Sequence, residues 1–345
     1  MTDGTPPRAA IVGCAGPALL PVERALFRGA GPLGFILFAR NCTEPGQFRD
    51  LVAELRAAVG RADAPILIDQ EGGRVARLGP PHWWRPPPAR AIGRLAQDGM
   101  ETARRASWLH GRLIAEDLAA LGITVDCAPV LDLGLPGTHG VIGDRAYGAT
   151  PGLVAALGRS FCEGLLAGGV LPVIKHVPGH GRAKADSHLE LPEVTASRAE
   201  LEATDFAPFK ALADMPWAMT AHVAYRALDG GTAATCAARL IAEIVRGEIG
   251  FAGVLVSDDL GMKALSGDFA ARTRAALDAG CDLALHCSGD PGEMAAVMGA
   301  ALRLAPEAVA RLAQGEAMRR AALAAAPPFD AEAGRAELDA LLRAA

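Results

Sequence analysis

Residues 175–188, KHVPGHGRAKADSH, concentrate side chains that could transfer protons or bind a metal ion. Three histidines, two lysines and an aspartate lie between an apolar run and the segment LELPEV. Histidine changes its charge near neutral pH, so it serves as a general acid or base and as a metal ligand. Gly179 and Gly181 give the backbone freedom of a mobile active-site lid, although an ordinary turn explains them equally well. The histidines favour a functional role for this segment.

Polar and ionisable side chains also follow other short apolar runs of the chain. They lie in DQEGGR (69–74), at Asp132, at His222 and in SDD (257–259). In a parallel barrel the reactive groups come from the carboxyl ends of the strands and from the loops that follow. If the apolar runs are barrel strands, these residues gather at one end of the barrel, together with the histidine-rich segment.

Eight short apolar runs are candidate strands, and most are continuously hydrophobic rather than alternating. This pattern is typical of strands that are covered on both faces. Helical patterns lie between them, so the alternation predicts a parallel sheet. We predict an α/β fold, a (β/α)8 barrel of the TIM type; a doubly wound open sheet is the alternative, because strand count alone does not prove closure. The runs are residues 9–13, 34–40, 65–71, 124–133, 171–179, 218–225, 253–260 and 282–286.

The 345 residues are predicted to form one domain, 1–345, whose C-terminal helices (about 290–345) pack on the outside of the barrel. Glycines that end several helical patterns (Gly122, Gly168, Gly169, Gly250 and Gly280) are expected to turn the chain left-handed into the next strand. The Pro-rich stretch 79–90 is predicted to be a rigid loop over the barrel mouth. Its Trp83 and Trp84 are expected to pack against the barrel rather than to stack on a ligand.

Charge and composition exclude several classes of function. The chain has 34 Lys and Arg against 39 Asp and Glu, a net charge of −5 that does not favour nucleic acid as a partner. No apolar run approaches the length of a membrane span, so no membrane association is expected. The seven cysteines lack C-x-x-C spacing and indicate neither a disulfide framework nor a zinc cluster. We therefore expect a cytoplasmic protein without a metal, a cofactor or an obligate protein partner.

Four motifs in this order resemble those of family 3 glycoside hydrolases: DQEGGRVARL (69–78), KHVPGHGRAKADSH (175–188), AHVAY (221–225) and SDDLGM (257–262). The resemblance covers residues from about 35 to 287 and points to the single-domain bacterial β-N-acetylglucosaminidases of peptidoglycan recycling. It implies retaining hydrolysis of terminal β-linked N-acetylglucosamine, with small carbohydrate or muropeptide fragments as substrates.

The resemblance also assigns roles to individual residues. It implies that Asp258 is the nucleophile, and that His188 is the acid/base, which Asp186 orients and keeps protonated. The substrate contacts that it implies are Asp69, Arg77, Arg145, Lys175, His176 and His222. A carboxylate and several cations suit a sugar, because charge-assisted hydrogen bonds to hydroxyl and acetamido groups are strong.

Other interpretations of the same residues stay open at this point. Asp258 could be a helix N-cap, a role that suits Asp259 better. A histidine acid/base repels phosphate less than a carboxylate would, so a phosphorylase or a family 3 β-glycosidase of other specificity is an alternative. Two further alternatives are a metal-dependent barrel hydrolase and a sugar-binding protein that does not cleave its ligand. The metal ligands would then come from His176, His180, His188, His222 and Asp258.

Overall fold

The computed structural model describes residues 5–137 and 140–344, and eight of its strands form a closed parallel barrel. Each strand pairs with its neighbours in the chain, and the first pairs with the eighth. The predicted (β/α)8 barrel is confirmed, and the open-sheet alternative is wrong. In chain order the barrel strands are Arg8–Val12, Pro32–Leu37, Ile66–Ile68, Val125–Asp126, Leu171–Val177, Trp217–Thr220, Val254–Asp259 and Leu283–His286.

Helices surround the barrel, and prolines occupy the first turn of several of them, where a missing N–H costs no hydrogen bond. The α-helices are Pro21–Ala30, Pro45–Val59, Ala89–Arg94, Met100–Ala120, Pro151–Ala167, Arg198–Ala203, Ala207–Ala211, Ala238–Leu240, Phe269–Asp278, Pro291–Ala300, Pro306–Ala325 and Ala331–Ala344. A π-helix, Ile241–Glu248, continues the eighth of them. The 3-10 turns are Ala39–Asn41, Leu95–Gln97, Gly143–Arg145 and Ala234–Cys236.

The strands are buried on both faces. Val254 and Val256 belong to the apolar cluster inside the barrel, whereas Leu255 belongs to the cluster between barrel and helices. The first strand alternates in the same way. Successive residues of one strand therefore pack alternately inside the barrel and against the helices. This explains why the runs are continuously apolar.

This alternation also sets the direction of the polar residues that follow. Asp258 comes two residues after Val256, and Lys175 comes two residues after Val173, which also lies in the interior cluster. Because side chains on a strand alternate in direction, Asp258 and Lys175 project towards the barrel axis at its carboxyl end.

The helix Pro306–Ala325 covers the opposite end of the barrel. Its Ala308 is buried in the interior cluster, and Arg319 donates to the carbonyl oxygen of Gly169 at 2.9 Å. The last helix, Ala331–Ala344, lies against Met100–Ala120 through an ion pair of Arg105 and Glu337 at 2.7 Å. The predicted range 1–345 also includes residues 1–4, 138, 139 and 345, which lie outside the described residues, and the single-domain organisation stays a prediction.

Several predicted strands are shorter in the structure: the run 65–71 pairs only over Ile66–Ile68, and two other runs depart further. Regular pairing in the run 124–133 stops at Asp126, and beyond it the carbonyl oxygens of Ala128 and Pro129 accept hydrogen bonds from Val173 and Lys175. Pro129 has no N–H to continue the ladder. The run 218–225 divides: its end, Ala224–Tyr225, pairs with Glu193–Val194 in a separate two-stranded sheet. Both departures place irregular backbone at the carboxyl end of the barrel.

The predicted helix ends agree with the structure, with one exception. Four of the five glycines have positive φ, and Gly168, with φ of −91°, does not. Trp83 and Trp84 pack against the core between barrel and helices, so the packing interpretation is confirmed. Of the described helices, none combines the length and apolar character needed to cross a membrane.

Candidate active site

A cavity of about 290 Å³ opens at the carboxyl end of the barrel. Seven of the nine predicted site residues line it: Asp69, Arg77, Arg145, Lys175, His176, His188 and Asp258. Residues outside the predicted site line it as well, among them Phe38, Glu71, Ser187, Met262, Cys287 and His180, which was a candidate ligand only in the metal-dependent alternative. Side chains from several strand ends thus converge on one space, as the barrel geometry requires.

Lys175 stands at the centre of a buried ion network. Its side chain is only 2% exposed, and its Nζ lies 2.9 Å from Asp69 Oδ1 and 2.6 Å from Glu71 Oε1. Arg77 reaches the other oxygen of Asp69 at 3.1 Å. A lysine so deeply buried stays charged only where carboxylates compensate its lost hydration. Lys175 is therefore not an ordinary exposed charge.

Arg145 joins the network through Glu71. Its Nε and Nη2 each donate to one oxygen of Glu71 at 2.8 Å, the bidentate geometry that guanidinium and carboxylate prefer. Glu71 therefore receives three charge-assisted hydrogen bonds, from Arg145 and Lys175. Its carboxylate holds both cations at the wall of the cavity.

The pKa values agree with a fully charged network. Burial alone would raise the pKa of Glu71, but Arg145 and Lys175 outweigh it and lower that pKa to about 2. Burial opposes the charge of Asp69 as well, and Lys175 and Arg77 hold its pKa well below the usual range. Burial would lower the pKa of Lys175, yet the charges of Asp69 and Glu71 raise it above its ordinary value. The side chains remain ionised at neutral pH because they neutralise one another.

A second buried cluster connects the fifth strand to the loop that follows it. Asp132 Oδ2 lies 2.6 Å from His176 Nδ1, and Asp132 Oδ1 accepts the backbone N–H of His180 at 2.6 Å. Burial would raise the pKa of Asp132, but His176 and His180 keep it below its ordinary value. Asp132 thus fixes the His176 ring at the cavity wall and ties down the root of the histidine-rich loop.

Asp258 and Asp259 have different surroundings at the end of the seventh strand. Asp258 is partly exposed in the cavity, and its Oδ1 accepts the backbone N–H of Asp259 at 2.8 Å. Asp259 instead binds protein groups: its Oδ1 accepts from Gly261 and Cys287. The helix that follows begins at Phe269 and is capped by Asp268, so the N-cap interpretation of Asp258 and of Asp259 is wrong. Both aspartates line the cavity, and Asp258 accepts fewer hydrogen bonds from protein groups.

His188 and Asp186 form a pair at the cavity edge. His188 Nδ1 lies 2.8 Å from Asp186 Oδ1, and the same oxygen accepts the backbone N–H of His188 at 2.9 Å. The imidazole is 64% exposed. Since Nδ1 is bonded to the carboxylate, Nε2 is the atom left to exchange a proton with a bound molecule.

His222 has a different environment from the one predicted for it. The side chain is fully buried, with Nδ1 2.7 Å from Thr235 Oγ1 and Nε2 3.0 Å from the carbonyl oxygen of Asp259. Because a carbonyl only accepts, Nε2–H is the donor. Both ring nitrogens are therefore used on protein groups, and the predicted substrate contact of His222 is not supported by this geometry. It supports the backbone at the end of the seventh strand.

Three of the polar residues at the site had no assigned role in the sequence-based prediction. Glu71 lies in the DQEGGR motif beside Asp69, and Asp132 ends a predicted strand, so both positions carried a signal. Ser187 carried none, because a serine between two polar residues is ordinary in a loop. Among the described residues, no group of three or more His, Cys, Asp or Glu side chains is arranged to hold a metal ion. The metal-dependent alternative gains no support from these positions.

Comparison of the chain with known families and proteins gives matches over most of its length. The family model of the glycosyl hydrolase family 3 N-terminal domain matches residues 30–315. A β-hexosaminidase of Alkalilimnicola ehrlichii is 42% identical over 81% of this chain and 80% of its own length, and one of Bordetella avium is 39% identical over 82% and 81%.

A solved structure extends the comparison to the fold. NagZ from Neisseria gonorrhoeae, in complex with N-trifluoroacetyl-D-glucosamine, superposes with a TM-score of 0.86 at 33% identity, over 98% of this chain and 99% of that one. Matches of this extent in motif, sequence and barrel have one explanation: the chain belongs to glycosyl hydrolase family 3, where it groups with the β-hexosaminidases.

Proposed function

We propose that this chain is a retaining β-N-acetylhexosaminidase that removes terminal β-linked N-acetylglucosamine. The observation that carries the proposal is the joint position of Asp258 and His188 at one cavity, beside a network of charges suited to sugar hydroxyls. The β-hexosaminidase relatives and the N-trifluoroacetyl-D-glucosamine bound by the gonococcal NagZ support the choice of sugar.

In the first step Asp258 attacks the anomeric carbon. Its Oδ1 is held by the N–H of Asp259, and among the residues that the structure describes Oδ2 has no hydrogen-bond partner, so Oδ2 is the attacking atom. The bond from the anomeric carbon to the leaving oxygen breaks, and that oxygen takes the proton from His188 Nε2. A covalent glycosyl-enzyme results.

In the second step His188, now neutral, accepts a proton from water. The water oxygen attacks the anomeric carbon, and the Asp258 carboxylate leaves with the electron pair of the ester bond. Two inversions retain the β configuration. Throughout, Asp186 holds Nδ1 of the imidazole, so Nε2 is the same atom that gives and later receives the proton.

The substrate contacts follow from the cavity wall. Asp69 accepts hydroxyl hydrogen bonds, Arg77, Arg145 and Lys175 donate to hydroxyl or acetamido oxygens, and His176 contacts the sugar at the cavity wall. We further propose that the natural substrates are muropeptide fragments and that the chain acts as a single catalytic domain. The seven free thiols favour a reducing compartment, so we place the reaction in the cytoplasm.

The test is hydrolysis of p-nitrophenyl N-acetyl-β-glucosaminide by the native chain and by Asp258→Ala. We expect the variant to lose about 10³-fold or more in kcat/KM, because no other group forms the covalent link. Asp50→Ala is the control, since Asp50 is exposed on the helix Pro45–Val59 and far from the chemistry. A slow 5-fluoro substrate should attach one sugar to the peptide that contains Asp258, as read by mass spectrometry.

Two further outcomes discriminate the alternatives. Omitting phosphate and adding a chelator should each leave the rate unchanged; dependence on phosphate would indicate a phosphorylase, and loss with chelator a metal-dependent hydrolase. Near-native activity of Asp258→Ala would refute the proposed mechanism.

A further inference from the structure

The loop that carries the acid/base pair has a rigid root. At its start the carbonyl oxygen of Gly179 accepts from Tyr225 Oη at 2.7 Å, and the N–H of His180 is held by Asp132. Arg182 Nε donates to Asp205 Oδ2 at 2.6 Å, which ties the root to the outer helices. The position of residues 178–182 is therefore determined by several buried bonds.

The tip of the loop returns to this root through Ser187. Its side chain is only 2% exposed, although the neighbouring His188 is largely exposed. Ser187 Oγ lies 3.1 Å from His180 Nε2, and the carbonyl oxygen of Ser187 accepts the N–H of Ala264 at 3.2 Å. Ala264 belongs to the turn after the strand of Asp258. One residue thus connects the acid/base loop to both neighbouring parts of the site.

The His180 ring is suited to a fixed hydrogen bond rather than to proton transfer. It is almost fully buried, and burial followed by the nearby His176 lowers its pKa to about 4. Its Nδ1 is buried without a hydrogen-bond partner among the described residues. A buried N–H without a partner is less tolerable than an acceptor without one, so the proton resides on Nε2 and is donated to Ser187 Oγ.

We propose that His180 and Ser187 form a latch that seats the tip of the loop and places His188 against the leaving oxygen of the substrate. His180 acts through Ser187 and is a positioning residue, because His188 is joined to Ser187 by one peptide bond and follows its position. The inference rests on the proposed role of His188 as the acid/base.

Loss of the latch should slow the cleavage of substrates whose leaving group must be protonated. It should not slow the cleavage of substrates whose leaving group departs without a proton. Departure of a phenol from phenyl N-acetyl-β-glucosaminide requires protonation, whereas 2,4-dinitrophenolate leaves without it. The value of kcat/KM reports the step up to glycosyl-enzyme formation, so the two substrates separate misplacement of His188 from general damage to the site.

The experiment compares both substrates in Ser187→Ala, His180→Ala and the double variant, with His188→Ala as the reference. We expect Ser187→Ala to lower kcat/KM for the phenyl substrate by about 10- to 100-fold, part of the roughly 10²- to 10⁴-fold that general acids contribute. For the dinitrophenyl substrate the change should stay within about 3-fold of the native value. The double variant should lose little more than either single one, since both break the same bond.

Controls keep the result interpretable. Ser160→Ala removes a hydroxyl that bonds Ala156 within one helix, and it should leave both substrates unaffected. His180→Gln retains an N–H donor of similar reach and should recover part of the loss. If His180→Ala unfolds, as circular dichroism would show, Ser187→Ala decides alone.

The outcomes distinguish failure of the proposed latch from failure of the proposed acid/base role of His188. If His188→Ala fails to slow the phenyl substrate selectively, the acid/base assignment itself is wrong. If His188→Ala behaves as expected while Ser187→Ala leaves both substrates unchanged, or slows both equally, the latch is refuted and the proposed function stands.

Discussion

Replacing Glu71 by glutamine tests whether the ion network holds the cavity together. Glu71 Oε1 accepts from Lys175 and Arg145, and Oε2 accepts from Arg145 Nε. Glutamine keeps one oxygen but turns an NH2 group towards one of these donors. Lys175 still has Asp69, whereas Arg145 loses its carboxylate partner.

The magnitude follows from the pKa of Glu71. Lowering it from the ordinary 4.5 to about 2 corresponds to about 3 kcal/mol of stability, at about 1.36 kcal/mol per pKa unit. The removal of one partner from a buried ion pair costs a similar amount, about 3 to 5 kcal/mol. At about 2.1 cal/mol/K of unfolding entropy per residue, 345 residues give roughly 1.4 °C per kcal/mol, so Tm should fall by about 4 °C. We also expect a higher KM, because Arg145 is less firmly held.

Urea unfolding of the native chain and Glu71→Gln at pH 7 measures the difference. The pKa of Glu71 is depressed in the folded chain, so its stabilisation is present above about pH 4.5 and is lost as pH falls through about 2. The difference in free energy of unfolding between the native chain and Glu71→Gln should therefore become smaller at acidic pH. Glu101→Gln, in an exposed pair with Arg104, is the matched control and should change stability by less than about 1 kcal/mol. A loss of under about 1 kcal/mol for Glu71→Gln would refute the reasoning.

Two further substitutions test packing and orientation. A Cβ at Gly164 would collide with the carbonyl oxygen of Trp108 where two helices cross, so Gly164→Ala should lower the free energy of unfolding by about 1 to 3 kcal/mol. Gly152→Ala, in open space on the same helix, should not destabilise, and equal effects in a urea titration would contradict this account. Asp132→Asn weakens the charge-assisted bonds to His176 and to the N–H of His180, and we expect kcat/KM for the p-nitrophenyl substrate to fall about 10- to 100-fold. An unchanged kcat/KM would show that neither histidine needs this anchor.

The barrel was predictable because its physical signal is local. Each strand is buried on two faces, so runs such as GVLVS and DLALH carry the pattern within a few residues. Short right-handed connections favour the parallel pairing of the strands, but they also build open sheets, so the strand pattern alone did not predict closure. Where the backbone leaves the regular ladder, as at Pro129, local hydrophobicity continued beyond the pairing and the predicted strand was too long.

The sequence predicted which residues form the site better than it predicted the hydrogen bonds that they make. Asp258 and Lys175 could be placed by strand position and motif, because alternation fixes their direction. The hydrogen bond from His222 to the carbonyl oxygen of Asp259 could not be predicted, because it depends on how the end of the seventh strand lies against the sixth. Likewise the bond between His180 and Ser187 depends on the path of the loop between them, which no local pattern determines.

The charges of the cavity suit a neutral ligand. Lys175, Arg77 and Arg145 lie at the same wall as the carboxylates of Asp69, Glu71, Asp258 and Asp259, so cations and carboxylates largely offset one another where the sugar would bind. The proposed chemistry preserves this balance. When Asp258 becomes an ester it loses its negative charge, and in the same step the protonated His188 loses its positive charge to the leaving oxygen. The net charge beside the buried network therefore stays the same through this step, and a change in it would cost the most there.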